Sequence, residues 1–241
     1  MKTLALECSA GPASVAIVED GRIIGSSFIN VKLTHSQTLL PMVCDLLKSA
    51  RLDIKDIDGI AIAAGPGSFT GIRIGISAAK GLAAARKLPC VPVSTLGAMA
   101  ELFRGQAAYI CAVMDARCNQ FYNALFEVDG DKVTRLCDDR ALLGDELKSQ
   151  LETFSLKDKP VIVCGDGADL FLKYTQDLKN VICAPEQLKF QSAVGVAMCG
   201  EKALLEGNGI SPEELLPVYL RLPQAERELK SKQQKETETK K

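Results

Sequence analysis

The chain has 241 residues, room for one large domain or two small ones. Its 29 Lys and Arg balance 30 Asp and Glu to a net charge of −1, and 47% of residues are hydrophobic, which fits a packed core and argues against a stand-alone nucleic-acid binder. One histidine, His35, excludes a metal site built from two or more histidines of this chain and leaves His35 as the sole base for a Ser-His or Cys-His couple.

In chain order, Leu4–Glu7, Ser14–Glu19 and Arg22–Asn30 read as three short strands, with Asp20-Gly21 as a hairpin turn between the last two. Ser36–Ala50 reads as a helix, because Leu39, Leu40, Val43, Leu46 and Leu47 fall at helical spacing and Pro41 sits in its first turns. Gly59–Ala64 is a buried strand, Gly65-Pro66-Gly67-Ser68 a tight turn and Thr70–Lys87 a second long helix. A strand at Cys90–Val93 and a helix to Arg104 close this series. After Arg104-Gly105-Gln106 come strands at Tyr109–Asp115, Gln120–Val128 and Lys132–Cys137, a helix over Leu142–Phe154, a strand at Val161–Cys164, a helix after Gly167, a short strand at Val181–Cys183 and a helix over Ser192–Glu206. The repeated order of a hairpin-containing sheet alternating with helices predicts two α/β lobes, residues 1–105 and 106–222. Residues 223–241, rich in Lys, Glu and Gln, read as a charged disordered tail.

The nine cysteines show no CxxC spacing, so a zinc ribbon is unsupported and they read as buried reduced thiols. The N-terminus reads as a strand with no apolar h-region, and no apolar run reaches membrane-span length, so a cytoplasmic chain without a membrane segment is expected.

The glycine-rich turn at residues 65–68 enters a helix N-terminus, a setting that suits an anion, yet it matches neither the Walker A loop nor GxGxxG. The alternative is a tight turn with Ser68 or Thr70 as N-cap. In the helix that follows, Gly71, Gly75, Ala79 and Ala83 recur every four residues and form a smooth ridge along one face. Glycine inside a helix costs about 1 kcal/mol against alanine, so close packing is the expected compensation, either within the domain or against another molecule.

Gly65-Pro66-Gly67-Ser68-Phe69-Thr70-Gly71-Ile72-Arg73-Ile74-Gly75, continuing to Ala79-Lys80-Gly81-Leu82-Ala83, closely resembles the TsaB (YeaZ-like) family. Weaker support comes from His35-Ser36-Gln37, Pro92-Val93-Ser94-Thr95-Leu96, Asp115-Ala116-Arg117, Gly165-Asp166-Gly167-Ala168 and Pro217-Val218-Tyr219-Leu220-Arg221, so the resemblance covers residues 3–222. It implies a two-lobed actin-like, sugar-kinase-like (ASKHA) fold, each lobe a mixed sheet with helices. The implied role is that of a non-catalytic scaffold or activator in the transfer of threonylcarbamoyl from threonylcarbamoyl-AMP to the adenosine next to the tRNA anticodon. The implied partners are a TsaD-like catalytic paralogue and a TsaE-like ATPase, with a homodimer when alone, tRNA reached only through the complex, and no membrane. ATP or ADP is expected, if at all, at the interface with the catalytic partner.

The resemblance places the interface on the two N-lobe helices, where Leu39, Val43, Leu47, Gly71, Ile72, Gly75, Ala79 and Ala83 are its candidate residues. Glu7-Cys8-Ser9 stands where relatives carry Asp-Thr or Asp-Thr-Ser, and Gln120 stands where a Glu is usual. The catalytic paralogue carries an HxxxH metal pair, and the register through Pro92-Val93 puts Thr95 and Met99 in its place, two poor metal ligands. Two other readings stay open. One is a nucleotide-dependent kinase or ATPase of the same fold using Glu7, Ser9, Asp115, Gly165 and Gly167. The other is a peptidase with His35 as base.

Overall fold

The computed structural model describes residues 1–221; the tail read over 223–241 lies outside the described residues. Its first sheet is built from β1 (Lys2–Glu7), β2 (Ala13–Glu19), β3 (Arg22–Ile29), β4 (Gly59–Gly65) and β5 (Cys90–Ser94), in the order β3-β2-β1-β4-β5. β1 to β3 form an antiparallel meander, and β4 and β5 extend it in parallel from β1. The β2–β3 hairpin turns at Asp20-Gly21, both with positive φ (49° and 76°), as the dipeptide predicts.

The two faces of this sheet differ in side-chain size. Leu4, Leu6, Val15, Ile17, Ile60 and Ile62 face α1 (His35–Ser49) and α2 (Phe69–Ala84). Ala5, Ala16, Ala61 and Ala63 face α3 (Thr95–Glu101) and α7, the last helix (Ala193–Leu205). Small residues on that face let α7 lie close, and a Cβ on Gly200 would collide with that of Ala61. α7 thus returns the chain to the first sheet, although it lies in the second half of the sequence.

The second sheet repeats the plan. β6 (Gln106–Asp115), β7 (Gln120–Gly130), β8 (Lys132–Arg135), β10 (Val161–Cys164) and β11 (Val181–Cys183) run in the order β11-β10-β6-β7-β8. β9 (Arg140–Leu143) pairs with the first part of β7 and β8 with its last part. α4 (Gly144–Ser155) and α5 (Ala168–Phe171) carry Leu147, Leu151 and Phe171 into one core, and α6 (Glu186–Lys189) is a single turn after β11. With its hairpin strands first and parallel strands after, this sheet matches the first strand for strand, β9 being an addition. This doubling is the two-lobed ASKHA fold.

Two expectations need correction. Leu142 and Leu143 belong to β9, and the helix starts at Gly144, because a short apolar run suits either element and pairing with β7 decides it. All nine cysteines are free, but only Cys8, Cys90, Cys111 and Cys164 are buried; Cys44, Cys118 and Cys183 are exposed and Cys137 and Cys199 half-buried. No helix among the described residues is long and apolar enough to cross a membrane.

Candidate functional site

The strand ends β1, β4, β6 and β10 meet where the lobes face each other. There the turns after them enclose a cleft of about 500 Å³. The first lobe contributes Ser9, Ala10 and Gly11 from the β1–β2 turn and Gly67, Ser68, Phe69 and Thr70 from the entry to α2. The second contributes Asp115, Ala116 and Arg117 from the β6–β7 turn, and Asp166 after β10.

Several glycines make this convergence physically possible. A Cβ on Gly71 would strike the Cys8 carbonyl, and one on Gly165, at φ 107°, that of Val113. A Cβ on Gly67 would lie 2.5 Å from the Ser9 carbonyl and 2.8 Å from Ser9 Cβ, and one on Gly167 2.9 Å from the Asp115 nitrogen. The Ser68 N–H donates to the Ser9 carbonyl at 2.7 Å, stitching the two first-lobe turns together. Across the cleft Arg117, Cys118 and Asn119 all have positive φ (65°, 55° and 56°), a left-handed turn that returns β6 into β7.

Three carboxyl groups lie at the floor. Glu7 is buried; its Oε1 accepts from the Ser9 N–H at 2.6 Å and its Oε2 has no partner. Burial pushes this carboxyl up to about 7, against the Ser9 hydrogen bonds that lower it. Asp166 opens onto the cleft and accepts from Gln191 Nε2 at 2.7 Å; desolvation by the surrounding protein, with the Asp115 carboxylate nearby, raises it to about 6. Asp115 is held by Arg117, whose backbone N–H and Nη1 donate to its two oxygens at 2.7 and 3.0 Å. Of the five residues proposed for nucleotide contact, Ser9 and Asp115 line the cleft, Glu7 lies beneath it, and Gly165 and Gly167 act as close-packing points that let Asp166 project.

The segment 217–221 spans the cleft mouth, a feature the sequence reading missed. The Val218 N–H donates to the Ala64 carbonyl at 2.8 Å. The Tyr219 ring stacks on Phe69 at 4.8 Å, and its hydroxyl accepts from Arg73 Nε at 2.7 Å. Arg221 then reaches the other lobe and donates to the carbonyl oxygens of Ala116 and Arg117. The pattern Tyr-Leu-Arg carries no periodicity that marks such a strap.

The candidate interface residues lie on the inner faces of their helices. Gly71, Ile72, Gly75, Ala79 and Ala83 are buried in the first lobe, as are Leu39 and Val43, and Leu47 is half-buried against the same core. A Cβ on Gly75 would already lie 2.8 Å from both Cys8 Sγ and Ile62 Cδ1. The small ridge therefore serves packing of α2 onto its own sheet. The open face of the α1–α2 pair holds Leu40, Arg73, Ile74, Ser77 and Ala78 along a groove of about 430 Å³, and Leu40 is 44% exposed. Ser77, Gly81 and Ala85 form a second small-residue row on this outer side, with nothing within 4 Å of a Cβ at Gly81.

His35 opens α1 with its Nε2 2.8 Å from the Ala10 carbonyl, while its Nδ1 is buried without a partner. The nitrogen bound to a carbonyl must carry the proton, so the remaining nitrogen is the basic one, and no hydroxyl or thiol lies within hydrogen-bond reach of it. That removes the geometric basis of the peptidase reading. Thr95 and Met99 are both buried, and Met99 packs with Leu96, Ala100 and Phe103 in the core under the second sheet.

The family model described as TsaD, tRNA N6-adenosine threonylcarbamoyltransferase, matches residues 29–228. The tRNA threonylcarbamoyladenosine biosynthesis protein TsaB of Escherichia coli (strain K12) is 30% identical over 92% of this chain and 95% of its own length. That of Bacillus subtilis (strain 168) is 29% identical over 94% and 96%. Among solved structures, YeaZ from Pseudomonas aeruginosa superposes with a TM-score of 0.76 at 28% identity, covering 91% of this chain and 99% of that one.

Proposed function

This chain belongs to the TsaB family of tRNA threonylcarbamoyladenosine biosynthesis proteins, and on that premise we propose that it is a non-catalytic scaffold and activator of threonylcarbamoyl transfer to tRNA. Its partner is a TsaD-like transferase, which performs the chemistry. A TsaE-like ATPase joins the assembly, ATP or ADP sits at the interface with the transferase, and tRNA reaches this chain only through the complex. Alone, the chain pairs with a second copy. The complex works in the cytoplasm.

The observation that supports this reading most is the contrast between α3 and the α1–α2 face. Thr95 and Met99, on α3, are sealed into the core, so that segment offers no open position for a metal. The α1–α2 pair, in contrast, turns Leu40, Ile74 and Ala78 outward beside the small residues Ser77 and Gly81. Apolar and small side chains side by side let a helix pair approach closely and bury area at about 25 cal/mol per Å².

The test is reconstitution. The TsaD-like transferase, the ATPase, threonylcarbamoyl-AMP and unmodified tRNA are incubated with and without this chain. Modified adenosine is expected only when chain and transferase are both present. Modification by this chain in the absence of the transferase would overturn the scaffold reading.

A further inference from the structure

One edge of the first sheet is left open. Edge strands expose a row of unpaired N–H and C=O groups, and native proteins shorten, charge or cover them. Three of the four edges here follow that rule. β5 contains Pro92 and is bridged at Cys90 by Ile210, β8 is four residues long with Lys132 and Arg135 at its ends, and β11 is three residues long. β3 is the exception, eight residues from Arg22 to Ile29 with neither a proline nor an acid. Its ladder runs to β2 alone, and no other backbone hydrogen bond reaches residues 23–29 among the described residues.

The side chains leave room for another strand. Gly25, Ser27 and Ile29 pair with Ile17, Val15 and Ala13 on the face toward α1, and Ser26 and Phe28 alternate to the opposite face. Ile24 and Phe28 are 40% and 47% exposed. The register shift at Ile17/Val18 puts a bulge near the turn and leaves Gly25–Ile29 as five residues of regular ladder.

Charge selects the occupant. Arg22 and Lys32 flank this ladder, are exposed, and form no ion pair among the described residues. The acids beside the turn are taken, Glu19 by Lys2 and Asp20 by the N-terminal ammonium. A second copy related by a two-fold axis would run antiparallel, and pairing centred on Ser27 would bring Arg22 of one copy toward Lys32 of the other. Like charges placed opposite each other weaken a strand pair, whereas a strand with acids at both ends meets a cation at both.

We propose that the β3 edge docks an extended segment of a partner protein, apolar in its middle and acidic at both ends, which joins the first sheet as a sixth strand. Main-chain bonds to Gly25–Ile29 supply the affinity, and Phe28 with the two end charges supplies the selectivity. This inference does not rest on what docks on the α1–α2 face.

The test titrates the full chain with a capped nonapeptide, Glu-Glu-Val-Thr-Val-Thr-Val-Glu-Glu, and follows the amides of Gly25–Ile29 by NMR. Saturable shifts with a Kd of about 1 mM or lower are expected. Valines and threonines alternate, so only one class bonds to β3: N-methylating one class should abolish binding and N-methylating the other should preserve it. Phe28→Lys should weaken binding about tenfold, as should Ser26→Lys, which places a guarding charge at an exposed position. The same core flanked by Lys should bind roughly fivefold more weakly, and Arg22→Glu with Lys32→Glu should reverse that order. No saturable shift, equal binding of the two N-methylated peptides, or an unchanged order in the charge-reversed chain would overturn the proposal. Self-association in sedimentation that Phe28→Lys abolishes would assign the edge to a second copy and overturn it too.

Discussion

The inner and outer faces of α2 carry the same kind of residue to opposite ends. Inside, Gly71 and Gly75 have no room for even a Cβ, because Cys8 and Ile62 already occupy it, and Ala79 and Ala83 are buried. Outside, Ser77, Gly81 and Ala85 face open space. Spacing in the sequence reports that a helix has a smooth side. Only the sheet, by lying against one such side, tells which row is structural and which is free for a partner.

The largest effect should come from the inner face. Gly75→Leu forces a branched side chain into the space of Cys8 Sγ and Ile62 Cδ1, and should lower stability by about 3 kcal/mol or more, read as a fall in the urea midpoint. A variant that keeps its stability and loses only association would return the inner ridge to the interface.

Next in size is Glu7, the buried carboxyl below the first-lobe turns. Its folded value of about 7 lies above the ordinary 4.5, so the fold favours the protonated form. The associated stability is complete below the ordinary value and is lost as pH rises through about 7. Glu7→Gln should remove this dependence and leave the variant more stable than the wild type at pH 8 by up to roughly 3 kcal/mol. Denaturant curves at pH 5 and pH 8 check it, and parallel pH profiles for the two proteins would contradict the assignment. Asp166, raised to about 6, adds a smaller slope of the same sign that remains in the variant.

The smallest effect sharpens the outer face. Gly81→Ala should stabilise the isolated chain by up to about 1 kcal/mol, since the glycine is helical and unhindered. The same methyl should weaken pairing if another helix comes close at that row. A gain in stability together with unchanged pairing would confine the contact to the Leu40–Ile74 side.

The fold was legible because its signals are local. Asp20-Gly21 marks the first hairpin, the Leu39–Leu47 spacing marks α1, and the repeated element order marks the second lobe. β9 was not legible, because Arg140–Leu143 becomes a strand only by pairing with β7. The site was half legible. Ser9 and Asp115, two of the residues named for nucleotide contact, line the cleft, and the residues named for the interface lie on the inner sides of their helices, since periodicity gives a stripe and not the direction it faces. The strap at 217–221 joins residues more than 100 positions apart, Arg221 to Ala116, a contact that no local pattern encodes.

If the outer α1–α2 face recruits the transferase, as proposed, a charge placed on it must weaken the complex. Sedimentation of the chain with a TsaD-like transferase, wild type against Ile74→Glu, tests it most directly. Ile74 is half-buried on that face, so the charge should leave the melting temperature within a few degrees and weaken complex formation by about tenfold or more. A folded Ile74→Glu chain that forms the complex as tightly as the wild type would place the transferase on another face.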